Sequence, residues 1–148
     1  MNSIDKEILI ALLSQGRITW SELANQLGLS SPAIAERVRK LEEAGVIKGF
    51  SVQLDPARVG CALTALIAVT LSQTEDRVNF MKLVAEMPQI QECHHITGDD
   101  DYQLKVRCKG TKDLEEQVID RIKSLKGVSR TRTSIVLSSP KEISELPL

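Results

Sequence analysis

The 148-residue sequence predicts an α+β protein with an N-terminal winged helix-turn-helix domain and a C-terminal ferredoxin-like βαββαβ domain. Apolar residues in the first third recur at helical spacing, and Gly28 lies in a short turn between the second and third predicted helices. From Cys61 onward, strand-like and helix-like periods follow one another in the order β-α-β-β-α-β, which indicates the second domain. Both observations place a helical unit before a mixed one.

Capping signals mark the predicted helices. Ser3 is positioned to cap the first helix, and Thr19 with Glu22 three residues later forms a capping box for the second. A third helix is predicted to begin at Ser30 or Ser31, with a proline in its first turn, where a missing N–H costs no hydrogen bond. Three short helices with these boundaries are typical of a helix-turn-helix domain.

A wing and a linker follow the helices. Residues 46–54 are predicted to form a hairpin or ribbon, the wing, with its turn at Lys48. The domain boundaries are then a winged helix-turn-helix over residues 1–54, a linker over 55–60 and the ferredoxin-like domain over 61–148. Each part is small and has a thin core, so oligomerisation would help its stability.

The C-terminal domain is predicted from alternation. Apolar side chains at Tyr102, Leu104, Val106 and Cys108 alternate with polar ones, as in a half-buried strand. The predicted strands cover residues 62–71, 90–97, 102–109 and 128–137, and the two helices carry the apolar stripes Val78, Met81, Val84 and Leu114, Val118, Ile122, Leu125.

Composition and charge exclude several classes of protein. The longest apolar run, residues 61–71, is about half of a membrane span, and no signal peptide is visible, so we expect a cytoplasmic protein with no membrane partner. The odd, widely spaced Cys61, Cys93 and Cys108 indicate neither a disulfide framework nor a zinc site. The balance of 19 basic against 20 acidic residues argues against a globally basic nucleic-acid binder.

The third helix nevertheless concentrates positive charge. With Ile34, Val38 and Leu41 turned inward, its charged residues are predicted on the outer surface, where Arg binds guanine and Lys or Ser holds phosphate. A solvated face with helix-pairing charges is the alternative. Because residues 1–54 carry six basic and six acidic side chains, we expect weak binding by one domain and two half-sites read by a dimer. The candidate contacts to double-stranded DNA are Ser30, Ser31, Pro32, Ala33, Glu36, Arg37, Arg39, Lys40 and Lys48.

The run from Gly98 to Tyr102 holds three adjacent carboxylates, which repel one another unless solvent, a cation or donors surround them. It is read as an exposed acidic hairpin, as a divalent-cation site, although the spacing of an EF-hand is absent, or as a pocket for a ligand ammonium group. Thr133 and Ser134 on the last strand are able to add polar contacts.

No metal or catalytic site is predicted. His94 and His95 are neighbours on a strand and therefore point to opposite faces, so they do not share a zinc ion easily. The sequence has no Gly-rich phosphate loop, no Ser-His-Asp spacing and no nucleophile elbow. No catalytic residue and no cofactor are expected.

These residues resemble the Lrp/AsnC, or feast/famine, transcription regulators over nearly the whole chain. Each motif alone is weak, but their order and spacing are specific. The motifs that carry the resemblance are Ile4-Asp5-Lys6-Glu7-Ile8-Leu9, Gly16-Arg17-Ile18-Thr19, Glu22-Leu23-Ala24, Leu29-Ser30, Arg37-Val38, Leu41-Glu42-Glu43-Ala44-Gly45-Val46-Ile47, Thr97-Gly98-Asp99-Asp100-Asp101-Tyr102, Gly127-Val128 and Thr131-Arg132-Thr133.

The resemblance implies how the C-terminal domain works. Members of this family form dimers through their C-terminal sheets, and the dimers assemble into tetramers, octamers or larger rings. They bind amino acids between dimers, near the Gly-Asp-x-Asp-Tyr loop and the last strand. The corresponding effector-binding positions are Gly98, Asp99, Asp101, Tyr102, Thr133, Ser134 and Ile135.

Three functions are compatible with the sequence. The first is a sequence-specific DNA-binding transcription regulator whose assembly or DNA affinity responds to an amino acid or a related small metabolite. The second is an architectural DNA-binding protein that needs no effector. The third is a siroheme decarboxylase-like enzyme that uses His94 or His95 with Arg107, and the intact third helix argues against it.

Overall fold

The structure, a computed structural model, describes residues 2–148 and divides into two compact units. The first unit comprises the residues up to 53 together with 141–148, and the second comprises 54–140. In the first unit, helix α1 spans Ser3–Ser14, α2 spans Trp20–Leu27 and α3 spans Ser31–Glu43.

Local capping explains where these helices begin. Asn2, not Ser3, caps α1: its side chain accepts the backbone N–H of Asp5, and the Asp5 carboxylate accepts the backbone N–H of Asn2. The predicted Thr19 and Glu22 capping box is confirmed at α2. The α2 helix ends at Gly28, whose φ of 66° lies in the left-handed region that favours glycine.

One small core holds the three helices together. Ile8, Leu23 and Ile34 come from α1, α2 and α3 respectively, and each is fully buried. Burying an aliphatic side chain of this size contributes about 1.5–3 kcal/mol, so three helices too short to be stable alone become stable as a unit. Val38 and Leu41 complete the buried stripe of α3, as predicted.

The predicted ribbon over residues 46–54 is wrong for a single chain. These residues contain no strand, and their large apolar side chains are exposed. A ribbon requires a second strand to pair with, and residues 46–54 find none within the described chain. Phe50, Val52 and Leu54 alternate along the segment and remain uncovered.

The second unit confirms the ferredoxin-like fold. Its four strands form one antiparallel sheet in the order β2-β3-β1-β4, with both helices packed against one face. The elements are β1 Leu63–Leu71, α4 Arg77–Glu86, β2 Ile90–His95, β3 Tyr102–Cys108, α5 and β4 Val128–Ile135, where α5 joins Thr111–Asp113, Leu114–Ile119 and Asp120–Ser124 into one continuous helix.

Helix α5 differs from a regular α-helix in its middle section. Leu114–Ile119 has π-helical hydrogen bonding between two α-helical ends. Leu114, Val118 and Ile122 are nevertheless all buried, so the apolar stripe read from the sequence faces the sheet. The hydrophobic period predicts the buried face of this helix but not its local winding.

The two faces of the sheet differ in chemistry. Ile67, Leu104 and Val106 point toward the helices and are fully buried. On the opposite face, β3 presents Gln103 and Lys105 and the neighbouring edge strand presents Arg132, so this face is largely polar. Within residues 2–148, no helix is long and apolar enough to cross a membrane.

Candidate functional site

Helix α3 presents a charged outer surface. Because Ile34, Val38 and Leu41 are buried, the side of the helix directly opposite carries Glu36, Arg39 and Glu43. Ser31 and Ala33 lie on its flanks and are half-buried, whereas Pro32 and Lys40 are exposed. Ser30 is the N-cap of α3, and its hydroxyl accepts the backbone N–H of Ala33.

Arg37 lies on the flank of α3 that faces α1, rather than at the outermost position. Its Nη1 donates to Oδ1 of Asp5 at 2.8 Å, and the Arg37 and Asp5 side chains are only 31% and 19% exposed. The same Asp5 carboxylate closes the capping box of α1, so it connects the first turn of α1 to the middle of α3. In the free protein, Arg37 therefore joins two helices of its own domain.

Arg39 is held by two carboxylates of α3. Its Nε and Nη2 donate to both oxygens of Glu36 at 3.0 and 2.7 Å, and its Nη1 donates to Glu43. The Arg39 hydrogen bond lowers the pKa of Glu36, and Lys40 adds a weaker attraction from 3.6 Å. The centre of this surface is consequently close to neutral, although the helix is rich in arginine and lysine.

Lys6, Arg17 and Lys48 are the basic side chains of residues 2–53 that form no ion pair. All three are exposed. Arg17 lies in the turn two residues before the Thr19 cap of α2, and Lys48 follows α3 in the predicted wing. Positive charge available to an external anion is thus found at the edges of the domain.

The acidic loop between β2 and β3 gives each of its carboxylates a different environment. Asp101 accepts the backbone N–H of Leu71 through Oδ2 at 2.7 Å, and its own N–H donates to the carbonyl of Val69 at 3.0 Å. Asp99 is exposed, and no described residue donates to its carboxylate. Of the three carboxylates, the one on Asp99 is open to an external cation.

Asp100 is the buried member of the loop, at 7% exposure. It binds Arg132 and Arg130 of β4, the latter at 3.2 Å, and it accepts the hydroxyl of Thr70 at 3.0 Å. The Arg132 hydrogen bond is the main cause that lowers the pKa of Asp100, so this carboxyl stays ionised. We call Asp100, Thr70, Arg130 and Arg132 the loop latch, because they fix the loop to β1 and β4.

The predicted effector residues fall into two groups in one chain. The loop group adjoins Thr70, which pairs with Arg130 in the sheet, whereas Ser134 pairs with Leu66. Four residues of strand separate these positions, a distance of about 13 Å at about 3.3 Å per residue. The loop group is Gly98, Asp99, Asp101 and the buried Tyr102; the strand group is Thr133, Ser134 and Ile135, all of them exposed.

The two histidines point to opposite faces of the sheet. Nε2 of His94 lies 3.0 Å from a Glu92 oxygen, whereas the ring of His95 stacks on Tyr102 with the ring centroids 4.9 Å apart. Within residues 2–148, no group of three His, Cys, Asp or Glu side chains is arranged to hold a metal ion. Arg107, on β3, belongs to neither contact.

Sequence reasoning missed the residues that hold both sites in place. Asp5 gave no signal, because its partner is distant in the sequence and lies on another helix. The loop latch had a readable signal: Arg130 and Arg132 share a strand face, and an acidic loop was already predicted nearby. The missing information was which strand pairs with β1, since that pairing brings these arginines to Asp100.

Comparison with known proteins gives matches over the whole chain. Residues 1–48 match the family model described as winged helix-turn-helix DNA-binding, and residues 64–146 match the Lrp/AsnC ligand binding domain. The HTH-type transcriptional regulator FL11 of Pyrococcus horikoshii is 37% identical, covering 100% of this chain and 97% of its own length. The leucine-responsive regulatory protein of Escherichia coli is 34% identical, covering 99% and 90%.

A solved structure has the same fold throughout. The crystal structure of a transcriptional regulator from Neisseria meningitidis in complex with L-Met aligns with a TM-score of 0.93 and 30% identity, covering 99% of this chain and 96% of that one. A helix-turn-helix unit joined to a ligand-binding sheet defines a DNA-binding transcription regulator of the effector-responsive class. The chain belongs to the Lrp/AsnC family, which confirms the resemblance seen in its motifs.

Proposed function

We propose that this chain acts as an oligomeric regulator that binds double-stranded DNA through α3 and its flanks and responds to a free amino acid bound at the acidic loop. The observation that carries the proposal is the open carboxylate of Asp99, in a loop whose other two carboxylates are already satisfied. A similar protein is named leucine-responsive, and another was crystallised with L-Met, which supports an amino acid as the ligand.

The DNA-binding surface comprises the outer side of α3 and the basic residues beside it. Arg39 and Lys40 approach the groove with Glu36, and Lys48 contacts phosphate from the segment after α3. Arg37 contributes mainly by fixing α3 against α1 through Asp5. Ser30 caps α3, and Ser31, Pro32 and Ala33 form the end of the helix that enters the groove first.

Asp99 receives the ammonium group of the effector, and the backbone around Gly98 supplies donors for its carboxylate. Gly98 has a φ of 120°, which favours glycine and leaves this stretch of backbone without a side chain to block it. The strand group at residues 133–135 lies too far along β4 to join the same pocket within one chain. A second copy therefore completes the site, as expected for a ligand bound between dimers.

Self-association has further support in surfaces that one chain leaves uncovered. The sheet face away from the helices carries Leu66 at 39% exposure among polar neighbours, and we infer that a second copy covers it. The exposed Phe50, Val52 and Leu54 extend the apolar surface available to that copy. Exposed apolar patches of this kind commonly mark protein–protein contacts.

The division of labour follows the predicted boundaries. Residues 1–54 serve as the DNA-binding domain, 55–60 as the linker and 61–148 as the effector-binding and oligomerisation domain. The protein acts in the cytoplasm, without a cofactor and without catalysis. His94 and His95 point away from each other, which is a poor arrangement for joint catalysis, and an absorbance titration with siroheme should give no spectral change.

A ligand screen tests the proposal. Each of the twenty amino acids is added to the full chain and the melting temperature is followed, because a ligand that binds only the folded state must raise it. Leucine and methionine are the first candidates. We expect Asp99→Asn to abolish the shift and Asp120→Asn, an exposed acidic position on α5, to preserve it. A chain that binds DNA but shifts with no amino acid would support the architectural alternative.

A further inference from the structure

The outer side of α3 carries a preformed pair of side chains. Glu36 and Arg39 share two hydrogen bonds of 2.7 and 3.0 Å, and both side chains are about half exposed. They lie opposite the buried stripe, so they are the α3 residues that project furthest from the core. Glu43 holds the Nη1 side of the same guanidinium, which leaves the Arg39 side chain in a defined orientation.

Both members of the pair retain hydrogen-bonding capacity. An arginine guanidinium has five N–H donors, and Arg39 uses three of them on Glu36 and Glu43. The two that remain point away from Glu36. Each carboxylate oxygen of Glu36 has two lone pairs, so accepting from Arg39 leaves room for a further donor. The pair is able to engage both a donor and an acceptor at the same time.

The electrostatics of this surface disfavour indiscriminate binding to DNA. Non-specific affinity comes from cations placed near phosphates, and here two carboxylates offset the charge of Arg39. A carboxylate in the major groove gains a favourable contact only where a base edge offers an N–H donor. Cytosine N4 is the usual partner of a glutamate, and guanine O6 and N7 are the usual partners of an arginine.

We propose that Glu36 and Arg39 form a specificity-determining pair that reads a cytosine and a neighbouring guanine in each DNA half-site. Glu36 accepts from the cytosine amine, while Arg39 donates to the guanine and stays oriented by Glu36 and Glu43. Glu36 also repels DNA that lacks the matching amine. This inference rests on the proposed DNA-binding function and adds the base edges that the helix recognises.

Selection from a random-sequence duplex library tests the pair and requires no defined operator. The full-length wild type is used to enrich bound duplexes, and the enriched sequence then serves as the probe for affinity measurements at one fixed salt concentration. The variants are Glu36→Gln and Glu42→Gln. Glu42 is exposed on the same helix, away from the outer side, so its variant makes the same change in net charge.

We expect Glu36→Gln to lower the ratio of specific to non-specific affinity by about tenfold per half-site, as is typical of a lost base contact. Its own selection should no longer prefer cytosine at one position per half-site, whereas Glu42→Gln should keep the wild-type preference. Identical preferences and ratios for the two variants would overturn the inference and leave the proposed function intact. A wild type that enriches no sequence and binds no duplex would overturn both.

Discussion

The Asp5–Arg37 ion pair allows a quantitative test of how the DNA-binding domain holds α3. Exposed ion pairs contribute about 0–1 kcal/mol, and hydrogen bonds to charged groups contribute about 1.5–3 kcal/mol. This pair has a 2.8 Å contact and side chains 31% and 19% exposed, so it lies between these cases. We expect a coupling energy of about 1–2 kcal/mol between Asp5 and Arg37.

A double-mutant cycle measures that energy directly. The free energy of unfolding is determined for the wild type, Asp5→Asn, Arg37→Gln and the double variant. Trp20 is the sole tryptophan of the chain and packs against the core of the first unit, so its fluorescence reports this unit during urea unfolding. Loss of the Asn2 capping contact occurs in both variants that lack Asp5, and it therefore cancels in the cycle.

The cycle has a clear contrary result. A coupling energy below about 0.3 kcal/mol, within the range of independent sites, would mean that Arg37 does not connect α1 to α3. Arg17→Gln is the control, because Arg17 forms no ion pair and its replacement should change stability by no more than about 0.5 kcal/mol.

Three further predictions follow from the described contacts. If Arg17 contacts a phosphate in each half of a dimer, Arg17→Gln should make the plot of log affinity against log salt shallower by about 1.8, at about 0.9 per phosphate, and an unchanged slope would remove Arg17 from the interface. The lowered pKa of Asp100 means that its contribution to stability is complete above its unfolded pKa of about 3.9 and disappears as pH falls through the lower folded value. Asp100→Asn should therefore lower the melting temperature at pH 7 and flatten its acid dependence, and equal acid sensitivity in both proteins would refute the loop latch. Gly127→Ala should cost at least about 1 kcal/mol, because Gly127 has a φ of 101° and an added Cβ would collide with Asp76, while Gly110→Ala, with open space around it, should be much milder in the same urea titration.

The sequence predicts the fold well where local signals decide it. The Thr19–Glu22 box and the period of Ile34, Val38 and Leu41 depend on residues close together in the chain, and both were read correctly. The ribbon at residues 46–54 was read from alternation alone. Alternation shows that a segment has an apolar side, but not that a pairing strand exists in the same chain.

The candidate sites were harder to predict, because long-range pairs determine which charges remain available. Arg37 looks like a DNA contact in the sequence until Asp5, 32 residues away, is seen to bind it. Asp99, Asp100 and Asp101 look equivalent until the sheet brings Arg130 and Arg132 to the middle one. Sequence spacing identifies groups with the right chemistry, but pairing across the fold decides which of them are free.

The central claim is that one chain couples an amino acid at the acidic loop to DNA held by α3. The most direct test measures the affinity for the selected duplex with and without the amino acid that raises the melting temperature, in the wild type and in Asp99→Asn. The account predicts a change of about 5- to 150-fold in the wild type, the usual range of allosteric coupling, and none in the variant. Equal affinity with and without the amino acid, together with an unchanged native mass, would contradict it.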